Sequence, residues 1–248
     1  MILYVIQTIG RYLLLMRRVF TLPQKMVIFR KHLFIEFQGL GLESLGIVAF
    51  ISMFMGAVVA IQTAFNIDSP LIPMSMVGFT TAQSIILEFA PTMISLILAG
   101  KVGSRIASEI GTMRVTEQID ALEIMGVNSA NYLILPKVVA SMLINPVLIV
   151  FSMWLGIIGG WIAMVASDLV TTNDYIYGIR YDFHAFIIFY ALIKTFVFAF
   201  IISTVSAFFG YETQGGALEV GQASTKGVVY SSILIIIFNL ILTQILLT

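Results

Sequence analysis

Glu88 and Lys194 have the greatest capacity for chemistry in this 248-residue sequence, because each is the single charged residue of a long apolar stretch. A charge at the centre of a membrane costs roughly 2.5–3.5 kcal/mol on insertion scales, so such groups face a cavity or a partner. Thr92 and Ser95 follow Glu88 at i+4 and i+7, and Tyr190 precedes Lys194 by four residues. On helices these spacings make two polar stripes. The stripes suit a cavity wall, with Lys194 either paired to Glu88 or open to an anion. A purely structural pair, or a lysine snorkelling outward, would leave the same pattern. A second set, Lys101, Arg105 and Glu109, falls at i, i+4 and i+8. It is either a solvated basic helix end or a network that braces the polar segment following it.

Other chemistries lack material. There is no cysteine, which removes disulfides, thiolate metal sites and cysteine nucleophiles. Two histidines, His32 and His184, are too few for a metal centre, and no convergent nucleophile or acid–base set is present. We expect no metal and no covalent catalysis. A phosphate loop, GxxxxGK[ST], is also missing: Gly100-Lys101 is followed by Val102 and lacks the upstream glycine. Any ATP and Mg would be held by another chain. The net charge of zero gives no case for nucleic acid.

The elements that must carry these residues follow from composition. The chain is 59% hydrophobic and 10% charged, against about 45–50% and about 25% in soluble domains. Its solvent is therefore largely lipid. The apolar runs are unbroken rather than alternating, so helices, not barrel strands, satisfy the backbone. The expected fold is an all-α integral membrane domain with about five spans, near 44–67, 84–105, 133–167, 184–209 and 228–247. Between Glu43 and Asp68 lie 24 uncharged residues, and between Lys137 and Asp168 lie 30. The second stretch is long for one crossing, and Pro146 within it predicts a kink or a re-entrant section. Asn145 and Asn239 are expected to satisfy backbone freed by a kink or to bond a neighbouring helix.

Basic residues set the orientation. Arg11, Arg17, Arg18, Lys25, Arg30 and Lys31 precede the first acid, Glu36, and Lys101, Arg105, Arg114 and Lys137 surround the loop after span two. The opposite loops hold Asp68 alone, then Asp168, Asp174 and Asp182 against Arg180. The N-terminus is expected in the cytoplasm and the C-terminus outside. Residues 1–35 lack the order of a signal peptide and read as an amphipathic helix at the cytoplasmic interface. The glycine-rich stretch 211–226 reads as a cytoplasmic loop.

The longest polar stretch contains a short helix, placed within 112–126. Thr116 would cap it, Glu117 and Asp120 lie in its first turn, and Gly126 would end it. Ile119, Leu122 and Met125 make an apolar stripe, with Glu123 elsewhere. A helix so short is unstable alone in water and must dock, either on its own chain or in the groove of a soluble subunit.

The block Glu109-Ile110-Gly111, Met113-Arg114, Thr116-Glu117-Gln118-Ile119-Asp120-Ala121-Leu122 and Met125-Gly126 resembles the signature of the MlaE family. Ala99–Ser104, Leu135-Pro136, Phe209-Gly210-Tyr211 and Gly227–Ser232 are similar to its flanks. The resemblance implies a permease subunit of an ABC transporter in the bacterial inner membrane, moving phospholipid between the inner and outer membranes. It implies a homodimer, two cytoplasmic ATPase subunits and a periplasmic protein with an MCE domain. Glu88, Thr92, Ser95, Tyr190 and Lys194 would then face a bound phospholipid. The helix from Thr116 to Met125 would couple to the ATPase, through Thr116, Glu117, Ile119, Asp120, Leu122, Glu123 and Met125. The competing expectation is an ion-coupled secondary transporter of an amphipathic solute, with Glu88 as a proton site.

Overall fold

The computed structural model describes residues 2–21, 26–67, 72–182 and 184–247; Lys25 and Asp68 lie outside them. The chain is an all-helical integral membrane protein, and no strand occurs among the described residues. Helix α1 spans Ile2–Val19 and α2 spans Met26–Phe37. A wide π turn, Gln38–Leu42, joins α2 to α3, Glu43–Asn66. Next come α4 (Ser75–Ser84), a π stretch (Ile85–Met93), α5 (Ile94–Leu98), a second π stretch (Ala99–Gly103) and α6 (Ser104–Val115). Helix α7 is Gln118–Ile124, α8 is Ser129–Ala166, α9 is Thr172–Tyr181, α10 is Ala185–Tyr211 and α11 is Ala217–Leu247.

Among the described residues, five helical runs are long and apolar enough to cross a membrane: Met26–Asn66, Ser75–Val115, Ser129–Ala166, Ala185–Tyr211 and Ala217–Leu247. The number matches the sequence expectation, while several boundaries do not. Residues 1–35 are not one segment: α1 stands apart, and α2 continues through the π turn into the first run. The helix survives the charges at Glu36 and Glu43 because both are neutralised, by Lys137 and by Arg105 respectively. The second run extends well beyond 84–105 at both ends. Helix α8 passes Pro146 without a re-entrant break, and Asn145 beside it is buried with both amide atoms unpaired among the described residues. The expected loop at 211–226 shrinks to residues 212–216, because α11 begins at Ala217. There the Gly216 amide donates to Glu219 at 2.7 Å, closing the first turn of α11.

Contacts divide the chain into two compact units. The first contains Met1–Glu43, Leu96–Ile144 and Phe198–Phe238; the second contains Ser44–Ser95, Asn145–Val197 and Asn239–Thr248.

In the second unit α3 and α8 touch backbone to backbone. A Cβ on Gly56 would strike the Gly156 carbonyl, and one on Gly159 would strike the Met53 carbonyl. The Gly156/Gly160 pair is thus spent inside the chain, as small residues at a close crossing allow. Buried residues of α3 recur at Val48, Ser52, Gly56 and Val59, whereas Phe50, Phe54, Val58, Ile61 and Phe65 are exposed. An apolar surface of that kind is a lipid-facing one. Tyr175 of α9 anchors the unit: it is fully buried among Ala60, Val77, Met164 and Val170, and its hydroxyl donates to the Ile157 carbonyl at 3.3 Å.

In the first unit, α1 packs through Leu15, Met16 and Val19 while Ile6, Ile9, Leu13 and Leu14 stay exposed. The small-residue row Gly103, Ala107 and Gly111 lies against Ser206, Gly210 and Val220 of α10 and α11.

Candidate functional site

The second unit gathers Glu88, Thr92, Tyr190 and Lys194 into one cluster. Glu88 lies in the π stretch Ile85–Met93, which also holds Pro91. Lys194 Nζ donates to Glu88 Oε1 at 2.5 Å. Its second donor direction meets the Leu87 carbonyl at 3.4 Å. Pro91 has no amide with which an α turn would serve that oxygen, four residues back. The ammonium also sits 4.5 Å from the centre of the Tyr190 ring. All three directions of the ammonium are therefore occupied, as a lysine with 0% side-chain exposure requires.

Glu88 is served from three runs. Tyr190 and Thr243 hydroxyls approach Oε1 at 3.4 and 3.3 Å; Thr92 and the Asn239 amide reach Oε2 at 3.1 and 3.0 Å. One carboxylate thereby ties the second run to α10 and α11 within this unit. The pair is lopsided, since the Glu88 side chain is 41% exposed while Lys194 is sealed beneath it. Ser95 is buried but lies outside the cluster. Asn239, expected to satisfy freed backbone or bond a neighbouring helix, bonds the second run here, and Thr243 belongs to the cluster unforeseen; its i+4 spacing from Asn239 was the available signal. An open-mouthed cleft runs between α3, the π stretch and α8, lined by Ser52, Met55, Phe89, Met93 and Ser152 among others.

Lys101, Arg105 and Glu109 form a network in the first unit, but its partners are the α2–α3 junction and α8 rather than residues 116–125. Arg105 donates to the Gly39 carbonyl at 2.9 Å and pairs with Glu43 at 2.5 Å, and Lys101 donates to the Glu43 carbonyl. These carbonyls lie in and beside the π turn, where the regular ladder is broken and side-chain donors take over. Glu109 meets Lys137 at 2.8 Å, and Glu36 meets the same ammonium at 2.5 Å, with Lys137 3% exposed.

The expected coupling helix is shorter than foreseen. Residues 112–115 belong to α6, and Glu117 takes a left-handed conformation at φ 60°, turning the chain before α7. Thr116 caps nothing; its hydroxyl donates back to the Thr112 carbonyl at 2.8 Å. The apolar stripe splits, since Ile119 is fully buried while Ile124 and Met125 are 87% and 68% exposed. Leu122 is half-buried. Asp120 accepts from Arg114 at 2.6 Å. Glu123 Oε1 accepts from Ser129 at 2.8 Å, Arg18 at 2.9 Å and Tyr211 at 3.0 Å. The Ser129 bond, joined by Arg18 and Tyr211, holds this carboxyl below its ordinary range against the opposing effect of burial. Among the described residues, no group of three or more His, Asp and Glu side chains could hold a metal ion.

The family model "Permease MlaE" matches residues 33–245, which takes in every cluster above except the part contributed by α1. A probable ABC transporter permease protein of Rickettsia bellii is 38% identical over 205 residues, 83% of this chain and 79% of that protein. The Arabidopsis thaliana protein TRIGALACTOSYLDIACYLGLYCEROL 1, chloroplastic, is 34% identical, over 82% of this chain and 58% of that one. The intermembrane phospholipid transport system permease protein MlaE of Haemophilus influenzae is 29% identical, over 83% and 79%. The chain belongs to the MlaE family of ABC transporter permeases.

Proposed function

We propose that this chain is the membrane-embedded half of an ATP-driven phospholipid transporter in a bacterial inner membrane. The observation that carries the reading is the Glu88–Lys194 pair: an ion pair retained between membrane-crossing helices, with its carboxylate half open. A charge so placed is costly unless it serves a pathway or a partner. In this reading the exposed side of the cluster and the apolar cleft beside Phe89 meet the head and the tail of one lipid. The phospholipid system to which the Haemophilus relative belongs supports the same substrate class.

The exposed Ile124–Met125 tip of α7 is the contact for a separate ATPase subunit. An isoleucine and a methionine held out on a seven-residue helix suit the groove of a soluble partner better than water. Helix α7 accordingly faces the cytoplasm, and an MCE-domain protein receives lipid on the opposite side of the membrane. The working form is a homodimer, because the cleft is open to one side and a lipid held there needs walls from a second copy.

The test is reconstitution of the chain with its ATPase subunit in vesicles carrying fluorescent phospholipid. Lipid movement should require ATP and should fail with Glu88→Gln and with Lys194→Met at unchanged protein level. The half-exposed Glu88 carboxylate also fits the rival reading, a proton-coupled transporter. Flux driven by a pH gradient without nucleotide would establish that rival and end this one.

A further inference from the structure

The C-terminal end of α1 is bound to the base of α7 and to the start of α8 by a set of specific bonds. Arg18 pairs with Glu123 at 2.9 Å. Asn128 Nδ2 donates to the Arg18 carbonyl at 2.9 Å, and Asn131 Nδ2 donates to the Val19 and Thr21 carbonyls at 2.7 Å each. The orphan carbonyls at the end of α1 are thus capped by side chains of the α7–α8 junction. The same Glu123 oxygen also accepts from Ser129 and Tyr211, whose hydroxyls bond each other at 2.8 Å, and the Arg114 guanidinium lies 5.9 Å from the Tyr211 ring. Further along α1, Tyr12 donates to Thr204 and Arg11 pairs with Glu212, both on or just after α10.

An exposed ion pair alone is worth little. Here, however, the carboxylate is shared with two buried hydroxyl partners, since Ser129 and Tyr211 are 0% and 8% exposed. A group bonded on three elements at once cannot shift without moving all three. We infer that Glu123 is the positioning residue that makes α1, α7, the start of α8 and the end of α10 a single moving body, so that a push on the Ile124–Met125 tip is delivered to α1 as well as to the transmembrane helices. Helix α1, with Ile6, Ile9, Leu13 and Leu14 exposed, is then a driven element at the lipid surface and not a passive anchor.

This inference rests on the permease reading above, and its test separates the two. In the reconstituted complex with the ATPase subunit, the quantity measured is phospholipid moved per ATP hydrolysed. Arg18→Ala keeps the Glu123–Ser129–Tyr211 bonds and the fold, and should lower that ratio by about fivefold or more, the lower end of ordinary coupling between sites. The chain has no native cysteine, so Arg18→Cys/Asn128→Cys, which keeps Glu123 on Ser129 and Tyr211, can be joined by a short bifunctional maleimide. Unjoined, the double variant should be uncoupled; joined, it should recover most of the wild-type ratio. An unchanged ratio in Arg18→Ala, or loss of transport on joining the two positions, would overturn the inference. Failure of the wild-type chain to bind an ATPase subunit counts against the permease reading instead.

Discussion

Replacing Glu88 and Lys194 singly and together gives an asymmetric set of stabilities that the geometry fixes in advance. In Glu88→Gln the ammonium of Lys194 stays fully buried without a counter-charge, and the new Nε2 confronts donors from Thr92 and Asn239. Breaking a buried pair in this way costs about 3–5 kcal/mol. In Lys194→Met the surviving carboxylate is 41% exposed and keeps Tyr190, Thr92, Asn239 and Thr243 as donors, so the cost falls to about 1–3 kcal/mol. The double variant removes the stranded charge and should be more stable than Glu88→Gln alone, a coupling of about 2 kcal/mol or more. For a chain of this length, about 3–5 kcal/mol corresponds to a fall in Tm of roughly 6–20 °C. Thermal unfolding of the purified protein in lipid nanodiscs, followed by tryptophan fluorescence, measures all three. If Lys194→Met proved the more damaging single change, or if the double variant lost the sum of the two, the buried-ammonium argument would be refuted.

Other expectations rest on the same contacts. Gly56→Leu, and likewise Gly159→Leu, should abolish folded protein on a detergent sizing column, because the first side chain would enter the backbone of α8 and the second that of α3; Gly100→Ala, with nothing within 4 Å of its Cβ, should be silent. Ile124→Asp/Met125→Asp should leave the fold intact and remove ATPase co-purification, whereas Ile119→Asp, at a fully buried site, should destabilise the protein by several kcal/mol. The folded pKa of Glu123 is depressed below its ordinary 4.5, so its stabilising contribution is fully present above that value and is lost as pH falls through the folded value. Energy transfer between dyes at Leu14→Cys and Met125→Cys, both exposed, should therefore be flat from neutrality down to ordinary glutamate pH and drop below it. A drop near pH 6 would contradict the assignment.

The count of membrane runs is legible in the sequence because unbroken apolar stretches leave the backbone no other solution in lipid. The pairing of Glu88 with Lys194 is legible as one option, since two lone charges in apolar runs each require a partner. Helical phase is not legible. Counting i+7 puts Ser95 with Glu88, but the π stretch Ile85–Met93 widens the turn and rotates the residues beyond it, so Thr92 stays in the cluster and Ser95 leaves it. The ends of the runs are hidden because a charge reads as a boundary, whereas Glu36, Glu43, Arg105 and Lys137 cancel one another and let the helices continue. Thr116 fails as a cap because Glu117 adopts a left-handed turn, a conformation that few non-glycine residues visit and that no spacing announces.

The π segments and the charges fall together, and physics connects them. A π turn widens the helix and breaks the even ladder of carbonyls, which in hydrocarbon would leave acceptors unserved at several kcal/mol each. Cations on neighbouring elements supply the missing donors: Arg105 and Lys101 at Gly39 and Glu43, and Lys194 at Leu87. Arg105 and Lys194 each take a carboxylate, and each carboxylate sits on the distorted run it helps to hold: Glu43 just after one π turn, Glu88 inside another. Distortion and charge pair therefore stabilise each other locally, and neither is favourable alone. It follows that Lys194→Met should leave the Leu87 carbonyl unserved and favour a regular register in the second run. Hydrogen exchange at the amides of residues 85–93 would detect this as a local change in protection. Unchanged exchange there would mean that Pro91 holds the wide turn without help.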